Sequence, residues 1–316
     1  MNILITGGSG FLGQSLSRRL KNLSDNHPNS ATRITWLTRD SGQFHPDYID
    51  LMTYEDFQTT EETFDVIINL AGAGIADKRW SAARKKALLD SRIRPTQAVL
   101  AFIARTQTPP KLFVSGSAIG WYGVQGEKAL DENSGFVGDF AHDLCEAWEK
   151  EAELATASGV EVVILRTGVV IHPKGGMLAR LLTPFKLGLG GKLGDGKQIM
   201  SWISREDWVN AAGFIIEQHL AKQIQQAQNK SEAKSMVSLY NLTAPNPLNN
   251  QEFTKTLGSY LHRPTLMGVP AFILKLILGE MSTLLLDGQK VIPKNLLEQG
   301  FKFRHSYLKQ ALEEQE

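Results

Sequence analysis

Three glycines near the amino terminus are spaced as a phosphate-binding loop requires. Residues 3–13 read Ile-Leu-Ile-Thr-Gly-Gly-Ser-Gly-Phe-Leu-Gly, so Gly7, Gly10 and Gly13 form a G-x-x-G-x-x-G pattern between an apolar run and an amphipathic stretch. Gly7 permits a tight turn, Gly10 lets the backbone approach a diphosphate, and Gly13 lets helix pack closely on strand. The pattern predicts a dinucleotide site in which main-chain N–H groups bind the diphosphate. A plain strand-to-helix turn is the alternative.

The end of the second apolar run bears on which dinucleotide binds. It reads Trp36-Leu37-Thr38-Arg39-Asp40, so a cation and a carboxylate are adjacent at its tip. An acidic side chain at this position favours NAD, whereas the planar guanidinium of arginine suits the 2′-phosphate of NADP. Because Arg39 comes first, we predict NADP(H) in preference to NAD(H). The alternative is that Arg39 is a solvated loop charge and Asp40 caps the next turn.

Short apolar runs alternate with longer helical stretches along the chain, and this alternation predicts the strands and helices that hold these residues in place. Near-continuous Val, Ile and Leu are typical of parallel strands buried on both faces, and the order strand, helix, strand implies right-handed crossovers. We therefore predict an α/β fold, a Rossmann-like doubly wound parallel sheet with a smaller, mainly helical C-terminal lobe. The predicted strands are Asn2–Thr6, Ile34–Thr38, Asp65–Leu70, Lys111–Ser115, Val160–Arg166 and Ser238–Leu242, and the predicted helices are Phe11–Leu23, Ala82–Thr106, Gly138–Ser158 and one beginning near Ser204.

The second half of the chain no longer shows the regular alternation of apolar runs and helical stretches. Ser204 and Asp207 have the spacing of a capping box, in which each side chain satisfies a backbone N–H. From Pro245 onward, prolines punctuate helical segments and we expect no strand. Residues 1–172 plus about 201–244 are predicted to form the NADP-binding domain, and about 173–200 plus 245–316 the substrate lobe. Apolar side chains at i, i+4 spacing in that lobe indicate first a packing stripe and second a substrate wall; they are Phe272, Leu276, Met281 and Leu285.

Composition excludes several classes of function. The 316 residues carry 34 Lys plus Arg against 33 Asp plus Glu, a formal charge of +1, which argues against a nucleic-acid partner. Cys145 is the only cysteine and the histidines are scattered, so neither a disulfide framework nor a metal site is predicted. The longest apolar stretch is broken by Lys275 and Glu280, and Met1 leads directly into the first apolar run without a basic leader. We therefore expect a soluble cytoplasmic protein without a membrane partner.

Motifs along about 240 residues resemble, in order and spacing, the extended short-chain dehydrogenase/reductase superfamily and its NAD-dependent epimerase/dehydratase group. The matching segments are Thr6 to Gly13, Asn69 to Ala73, Ser115 to Ser117 with Tyr122-Gly123, Leu165-Arg166 and Gly194 to Gln198. More narrowly, the chain resembles an atypical branch of epimerase family proteins that has a short C-terminal domain of unknown function, here about Pro264–Glu313. The resemblance implies a nicotinamide cofactor. It also implies that a homodimer could form through the two long predicted helices, which the sequence leaves open.

The resemblance assigns residues to the substrate and to the cofactor. Ser117 corresponds to the serine that hydrogen-bonds the substrate oxygen, with a turn-forming serine as the alternative. Tyr122 could serve as general acid or could pack beneath the loop. Lys78 and Arg79 could attract an anionic substrate beside an apolar wall at Trp80, or could be solvated. Cofactor contacts are expected at Gly7, Ser9, Gly10, Phe11, Leu12, Gly13, Arg39, Leu70, Ala71, Gly72, Ala73, Ser115, Arg92, Thr167, Gly168 and Val169.

Two positions depart from the family pattern. The superfamily's acid is the tyrosine of Tyr-x-x-x-Lys, yet none of the six tyrosines has lysine four residues later, and about Ala141 and Cys145 stand at the expected positions. Met200 stands where nucleotide-sugar members have an arginine for the diphosphate. We therefore predict an atypical NADP-binding oxidoreductase or epimerase-like enzyme that acts on an unidentified carbonyl or alcohol. The alternative is a non-catalytic NADP(H)-binding redox sensor.

Overall fold

A parallel sheet of seven strands forms the centre of the structure, a computed structural model that describes residues 1–25, 32–229 and 236–314. The strands of the described residues are β1 (Asn2–Thr6), β2 (Arg33–Thr38), β3 (Ile49–Thr53), β4 (Val66–Asn69), β5 (Leu112–Ala118), β6 (Gly126–Leu130), β7 (Glu161–Thr167), β8 (Val169–His172), β9 (Ile199–Met200), β10 (Trp202–Ser204), β11 (Val237–Leu242), β12 (Leu248–Asn249) and β13 (Gln289–Val291). The sheet order is β11-β7-β5-β4-β1-β2-β3. The order reverses between β1 and β4, which opens a crevice at the carboxyl ends of the strands. The predicted Rossmann-like fold is confirmed.

Helices cover both faces of the sheet. In the described ranges they are α1 (Phe11–Asp25), α2 (Tyr54–Thr59), α3 (Ala82–Arg105), α4 (Phe140–Glu153), α5 (Gly176–Lys186), α6 (Arg205–Asn229), α7 (Asn250–Tyr260), α8 (Ala271–Leu278), α9 (Thr283–Leu286), α10 (Lys294–Glu298) and α11 (Leu308–Glu313). Because side chains alternate along a strand, Ile3 of β1 packs with α1 and α6, whereas Leu4 packs with α3. The sheet is therefore buried on both faces, as its apolar runs predicted.

Several short strands were not predicted. Strand β3 lies at the sheet edge and pairs only with β2, so Asp50 remains exposed and the run Ile-Asp-Leu-Met-Thr is not continuously apolar. The expectation of no strand after Pro245 was wrong. Strand β12 pairs with β9, and β13 pairs with β6. Strands β12 and β13 have only two and three residues, so the partner strand rather than a local pattern determines them.

Asp207 does not complete the predicted capping box. Its N–H donates to Ser204 Oγ at 3.0 Å, as the box requires. Its buried carboxylate instead accepts the N–H groups of Arg304 and His305, both at 2.8 Å. The reason is that the C-terminal segment supplies two backbone donors that would otherwise be buried without a partner. Asp207 thus joins the start of α6 to the C-terminal segment.

The predicted apolar stripe of the C-terminal lobe is divided. Met281 is buried beside Trp80, but Phe272 and Leu276 are 69% and 76% exposed, so the packing expectation was wrong for these two. Gly279, with φ of +60°, ends α8, and the i, i+4 spacing therefore does not continue on one helix. In the described part of the chain, no helix combines the length and the apolar character that a bilayer span requires.

Candidate functional site

The glycine loop connects β1 to α1 at the point where the strand order reverses. Gly7 has φ of +70°, and a Cβ there would lie 2.7 Å from the carbonyl carbon of Leu70. A Cβ at Gly13 would collide with the carbonyl oxygen of Gly7 and the Cα of Gly8. Both obstacles are backbone atoms, so neither position accommodates a side chain. The loop therefore has the tight turn and the close helix packing that its spacing predicted.

The start of α1 offers main-chain donors to a ligand. Ser9 and Gly10 are exposed, and the Gly10 N–H turns inward to the Gly7 oxygen at 3.0 Å. The N–H groups of Phe11 and Leu12 follow in the first helical turn, where no intrahelical acceptor is available. In the described part of the chain, a Cβ added at Gly10 would have one atom within 4 Å apart from those of its chain neighbours. That atom is the Gly7 oxygen, at 3.1 Å. Gly10, Phe11 and Leu12 thus form an open backbone surface at a helix start, which we call the glycine cradle. Such a surface fits a diphosphate.

Cations from distant parts of the chain lie beside this cradle. The Arg205 guanidinium is 5.3 Å from the ring centroid of Phe11, and the His172 ring is 5.6 Å from it. Burial, together with the charges of Arg205 and Lys174, lowers the pKa of His172 to about 4. At neutral pH the cations therefore face a neutral imidazole, and the local charge is positive. No local sequence signal connects these residues with the loop.

Asn69 fixes the backbone on the other side of the crevice. Its Oδ1 accepts the Thr6 hydroxyl at 2.5 Å and the Ala71 N–H at 3.3 Å, and its Nδ2 donates to the Thr96 hydroxyl at 2.8 Å. The side chain is fully buried and joins β1, β4 and α3. Asn69 thus holds Leu70 and Ala71 against the glycine loop. Sequence reasoning included it only as part of a motif.

Arg92 lies beneath the segment that follows β4. Its guanidinium donates to the carbonyls of Ala73 at 3.2 Å and Leu88 at 2.9 Å, and it packs over the Trp148 ring at 5.2 Å. Burial lowers its pKa. The Ala73 N–H donates to Ser91 Oγ at 3.0 Å. Arg92 therefore contacts the backbone of the segment that is predicted to bind the cofactor.

The tip of β2 presents one unpaired cation. Asp40 caps a turn, because its carboxylate accepts the Gly42 N–H at 2.9 Å and its own N–H donates to the Thr38 hydroxyl at 3.0 Å. Arg39 is exposed and forms no hydrogen bond or ion pair with the described residues. The carboxylate is thus engaged locally, and the guanidinium is the available group.

Ser117 is the centre of a buried polar cluster. Its Oγ donates to Glu149 Oε1 at 2.5 Å, and Arg166 donates from Nε and Nη2 to both oxygens of Glu149, at 2.9 and 2.8 Å. Ser117 and Arg166 are paired across β5 and β7, and Glu149 comes from α4. All three side chains are almost completely buried. Burial lowers the pKa of Arg166, but hydrogen bonds and charge from Glu149 raise it overall.

The cluster places a proton acceptor behind the predicted catalytic hydroxyl. A serine that donates to a carboxylate retains lone pairs with which it can accept from a substrate hydroxyl. A proton could therefore pass through Ser117 to Glu149. Glu149 is not among the site residues that the sequence predicted. Its separation of 17 residues from Arg166 gives no periodic signal that they pair.

Tyr122 and Cys145 are both sealed from solvent. The Tyr122 hydroxyl donates to Asn241 Oδ1 at 2.8 Å, and burial raises its pKa to about 12 although Arg166 opposes the shift. Burial, and then the charge of Glu149, raises the pKa of the Cys145 thiol to about 11. The geometry therefore gives Tyr122 a packing position beneath the loop and gives no support to proton donation from its phenol.

Tyr122→Phe is expected to lower the free energy of unfolding at pH 7 by about 1 kcal/mol, because Asn241 loses a buried donor. The phenol's pKa rises from 10.0 to about 12 on folding, so its contribution is complete below pH 10 and is lost as the pH rises towards 12. The wild type should therefore lose about 1.4 kcal/mol relative to the variant between pH 7 and pH 11, which cancels the difference of about 1 kcal/mol. Urea unfolding at pH 7 and pH 11 measures it. Tyr307→Phe, at an exposed ring, is the control; equal pH dependence in all three proteins would contradict the assignment.

Parallel register brings the remaining predicted residues to the same edge. Asn69 is paired with Ser115, and Ala118 is paired with Thr167. The Ser115 side chain is buried and donates to the Gly116 carbonyl at 3.3 Å. Thr167, Gly168 and Val169 are half-buried, and the Thr167 hydroxyl accepts from Trp208 at 3.0 Å.

The two cations of the loop after β4 lie at the protein surface. Lys78 and Arg79 are exposed, and Arg79 lies against Gly279 at the end of α8. Trp80 is buried against Phe140, with ring centroids 4.8 Å apart, and its Nε1 donates to the Ile75 carbonyl. Trp80 is therefore a packing residue at this loop.

Comparison with known proteins agrees with this geometry. Residues 3–229 match the sequence profile of the NAD dependent epimerase/dehydratase family. The chain belongs to this family. Residues 269–315 match a domain of unknown function, DUF1731. The epimerase family resemblance seen in the motifs is thereby confirmed.

Relatives extend over almost the whole chain. An epimerase family protein of Mycobacterium bovis is 35% identical over 318 residues, which cover 98% of this chain and 96% of the relative. The chloroplastic homologue of epimerase family protein SDR39U1 from Arabidopsis thaliana is 36% identical over 321 residues, covering 99% and 86%. The crystal structure of human epimerase family protein SDR39U1 with NADPH has a TM-score of 0.85 at 29% identity, covering 99% of this chain and 98% of that one.

Proposed function

We propose that the chain is an NADP(H)-dependent oxidoreductase or epimerase-like enzyme that acts on a small carbonyl compound or secondary alcohol. The observation that carries this proposal is the position of Ser117. Its buried hydroxyl lies at the carboxyl end of β5 on the same sheet edge as the open glycine cradle, and it is backed by Glu149 and Arg166. The NADPH bound to human SDR39U1 supports the choice of cofactor.

Separate residues of this chain would bind the cofactor, hold the substrate and transfer the proton. The cradle of Gly10, Phe11 and Leu12 would bind the diphosphate, and a bound nicotinamide would supply or accept the hydride. Ser117 would hold the reacting oxygen. When an alcohol is oxidised, its hydroxyl proton moves to Ser117 Oγ while the serine's own proton moves to Glu149. Reduction of a carbonyl runs the same transfers in reverse. Arg166 orients the carboxylate and does not contact the substrate.

The proposal is tested by following NADPH fluorescence with a panel of aldehydes, ketones and sugar nucleotides. We expect turnover with at least one compound, and we expect Ser117→Ala to lower kcat about 10²- to 10⁴-fold while the Kd for NADPH changes little. Ser115→Ala is the matched control, because among the described residues that hydroxyl donates to the adjacent Gly116 carbonyl alone. Turnover that Ser117→Ala leaves intact would refute the assignment.

Preference for NADP(H) is proposed to depend on Arg39. Arg39→Ala should raise the Kd for NADPH about 10- to 100-fold and leave the Kd for NADH unchanged, because only NADPH carries the 2′-phosphate that the guanidinium would bind. Calorimetric titration measures both constants. Arg33→Ala removes a cation from the opposite end of the same strand, where it is paired with Asp50 and Glu62, and should alter neither constant. An unchanged NADPH affinity in Arg39→Ala would show that another group determines the preference.

A second candidate function is a non-catalytic NADP(H) sensor. It is favoured by the sequence, in which no tyrosine has lysine four residues later and about Ala141 and Cys145 stand at the expected positions, and by the burial of the Tyr122 phenol. A sensor would respond to the redox state of the nucleotide with a change of oligomeric state or shape. Light scattering with NADPH and with NADP⁺ discriminates the two functions. A response that persists in Ser117→Ala, without turnover in the panel, would identify the sensor.

A further inference from the structure

Exposed apolar side chains are concentrated on one surface of the C-terminal lobe. Residues 186–193 and 262–278 contain seven of the sixteen large hydrophobic side chains that are exposed in the described ranges. These are Leu187, Leu189, Leu266, Met267, Phe272, Leu276 and Ile277, and we call them the apolar face. Single exposed apolar residues are ordinary on protein surfaces, whereas a cluster of this kind marks an interaction site.

Backbone contacts make the apolar face continuous. The Val269 N–H donates to the Lys192 carbonyl at 2.9 Å, and the Arg263 guanidinium donates to the Lys186 carbonyl at 2.8 Å. The two segments therefore lie side by side, and α8 follows directly from the second. Helix α8 has no buried residue. It is fastened through Ala271, near Gly194, and through Leu278, which packs near Trp80. Phe272, Leu276 and Ile277 of this helix are exposed, whereas Ile273 and Leu274 are half-buried.

The charge of the two segments has one sign. They contain Lys186, Lys192, Arg263 and Lys275 as exposed cations and no aspartate or glutamate. In the described part of the chain, none of the four has a carboxylate within ion-pair distance, although Lys275 acts electrostatically on Asp287. Glu280, just beyond α8, is engaged by Lys85 at 2.6 Å. An apolar centre with a cationic margin is complementary to a surface that is apolar inside and anionic outside.

We propose that the apolar face docks the protein on an anionic phospholipid bilayer. Leu266, Phe272 and Leu276 would enter the boundary between headgroups and acyl chains, because they are 89%, 69% and 76% exposed and project from a loop and a helix. The four cations would extend to the lipid phosphates along their apolar stems. This peripheral contact needs no spanning segment. It differs from the expectation of no membrane partner, which considered only spans. The proposal is independent of the proposed catalytic function.

Flotation of the full chain with vesicles tests the proposal. We expect at least about tenfold stronger partitioning into vesicles of phosphatidylcholine plus phosphatidylglycerol than into phosphatidylcholine alone, and weaker binding at high salt. Phe272→Glu with Leu276→Glu should lower partitioning at least about tenfold, because each replaces an inserting apolar side chain by an anion. Leu154→Glu and Ile224→Glu change apolar residues elsewhere that are 59% and 62% exposed, and they should have no effect. Circular dichroism melting checks that every variant folds.

Three outcomes would overturn the proposal. The first is wild-type protein that floats with neither kind of vesicle. The second is a loss of binding in Leu154→Glu equal to that in the Phe272 and Leu276 variant. The third is self-association of the wild type, measured by light scattering, that the Phe272 and Leu276 variant abolishes while vesicles bind neither protein. In that case a second copy of the chain covers the apolar face.

Discussion

Glu149→Ala is expected to lower the free energy of unfolding by about 3–5 kcal/mol, because it leaves the Arg166 guanidinium buried without its carboxylate. Both side chains are almost completely buried, at 5% and 2% exposure, and two hydrogen bonds join them at 2.9 and 2.8 Å. The variant also removes the acceptor of the Ser117 hydroxyl. We therefore expect turnover to be lost together with stability. Urea denaturation followed by circular dichroism measures the first effect, and NADPH fluorescence the second.

Two controls distinguish the loss of the buried ion pair from the loss of any carboxylate on α4. Glu146→Ala removes a carboxylate from the same helix, where it is paired with Lys150 at the surface, and should change stability little. Glu149→Leu with Arg166→Met replaces both charges by apolar side chains and should recover most of the lost stability, but not the turnover. If Glu149→Ala is no less stable than Glu146→Ala, the buried ion pair does not exist in solution.

Gly13→Ala is expected to weaken NADPH binding by at least about 100-fold and to lower stability. The added Cβ would meet the Gly7 oxygen and the Gly8 Cα, so the loop must shift and its N–H groups lose the diphosphate. Two charge-assisted bonds at ~1.5–3 kcal/mol each account for that loss of affinity. The sign of the stability change is informative, because a glycine-to-alanine substitution inside a helix otherwise stabilises a protein by about 0.5–1 kcal/mol.

Calorimetric titration of NADPH and thermal unfolding measure the two effects of Gly13→Ala. Gly135→Ala is the matched control, because in the described ranges no atom other than those of its chain neighbours lies within 4 Å of a Cβ added there. A Gly13→Ala protein that is more stable than wild type and binds NADPH normally would show that the helix does not pack against the loop as described.

The central sheet and the glycine loop could be predicted because local patterns determine them. Parallel strands buried on both faces are near-continuous apolar runs, and Gly13 is required by contacts with Gly7 and Gly8 in the same loop. Gly7 is required by its positive φ in the turn as well as by its close approach to Leu70. Strand β3 was missed because an edge strand exposes alternate residues, as Asp50 does. Phe272 and Leu276 were placed in the core because their spacing matches an amphipathic helix, but spacing does not say whether a partner surface exists.

The polar cluster behind Ser117 could not be predicted because its members are joined only by tertiary structure. Glu149 lies among charged residues of α4 and reads as part of a solvated face, yet α4 packs it against β7 where Arg166 pairs with it. The Arg205 guanidinium and the His172 ring beside Phe11 likewise come from α6 and β8. In each case the fold, rather than the neighbouring sequence, determines the partner of a charged group.

A crystal structure of the protein soaked with NADPH tests the central claim most directly, since the claim is that one sheet edge places a nicotinamide beside Ser117. We expect density for the diphosphate over Gly10, Phe11 and Leu12, the 2′-phosphate at Arg39, and the nicotinamide ring in contact with Ser117. A folded, saturated crystal in which the nucleotide lies elsewhere, or in which none is bound, would contradict the account.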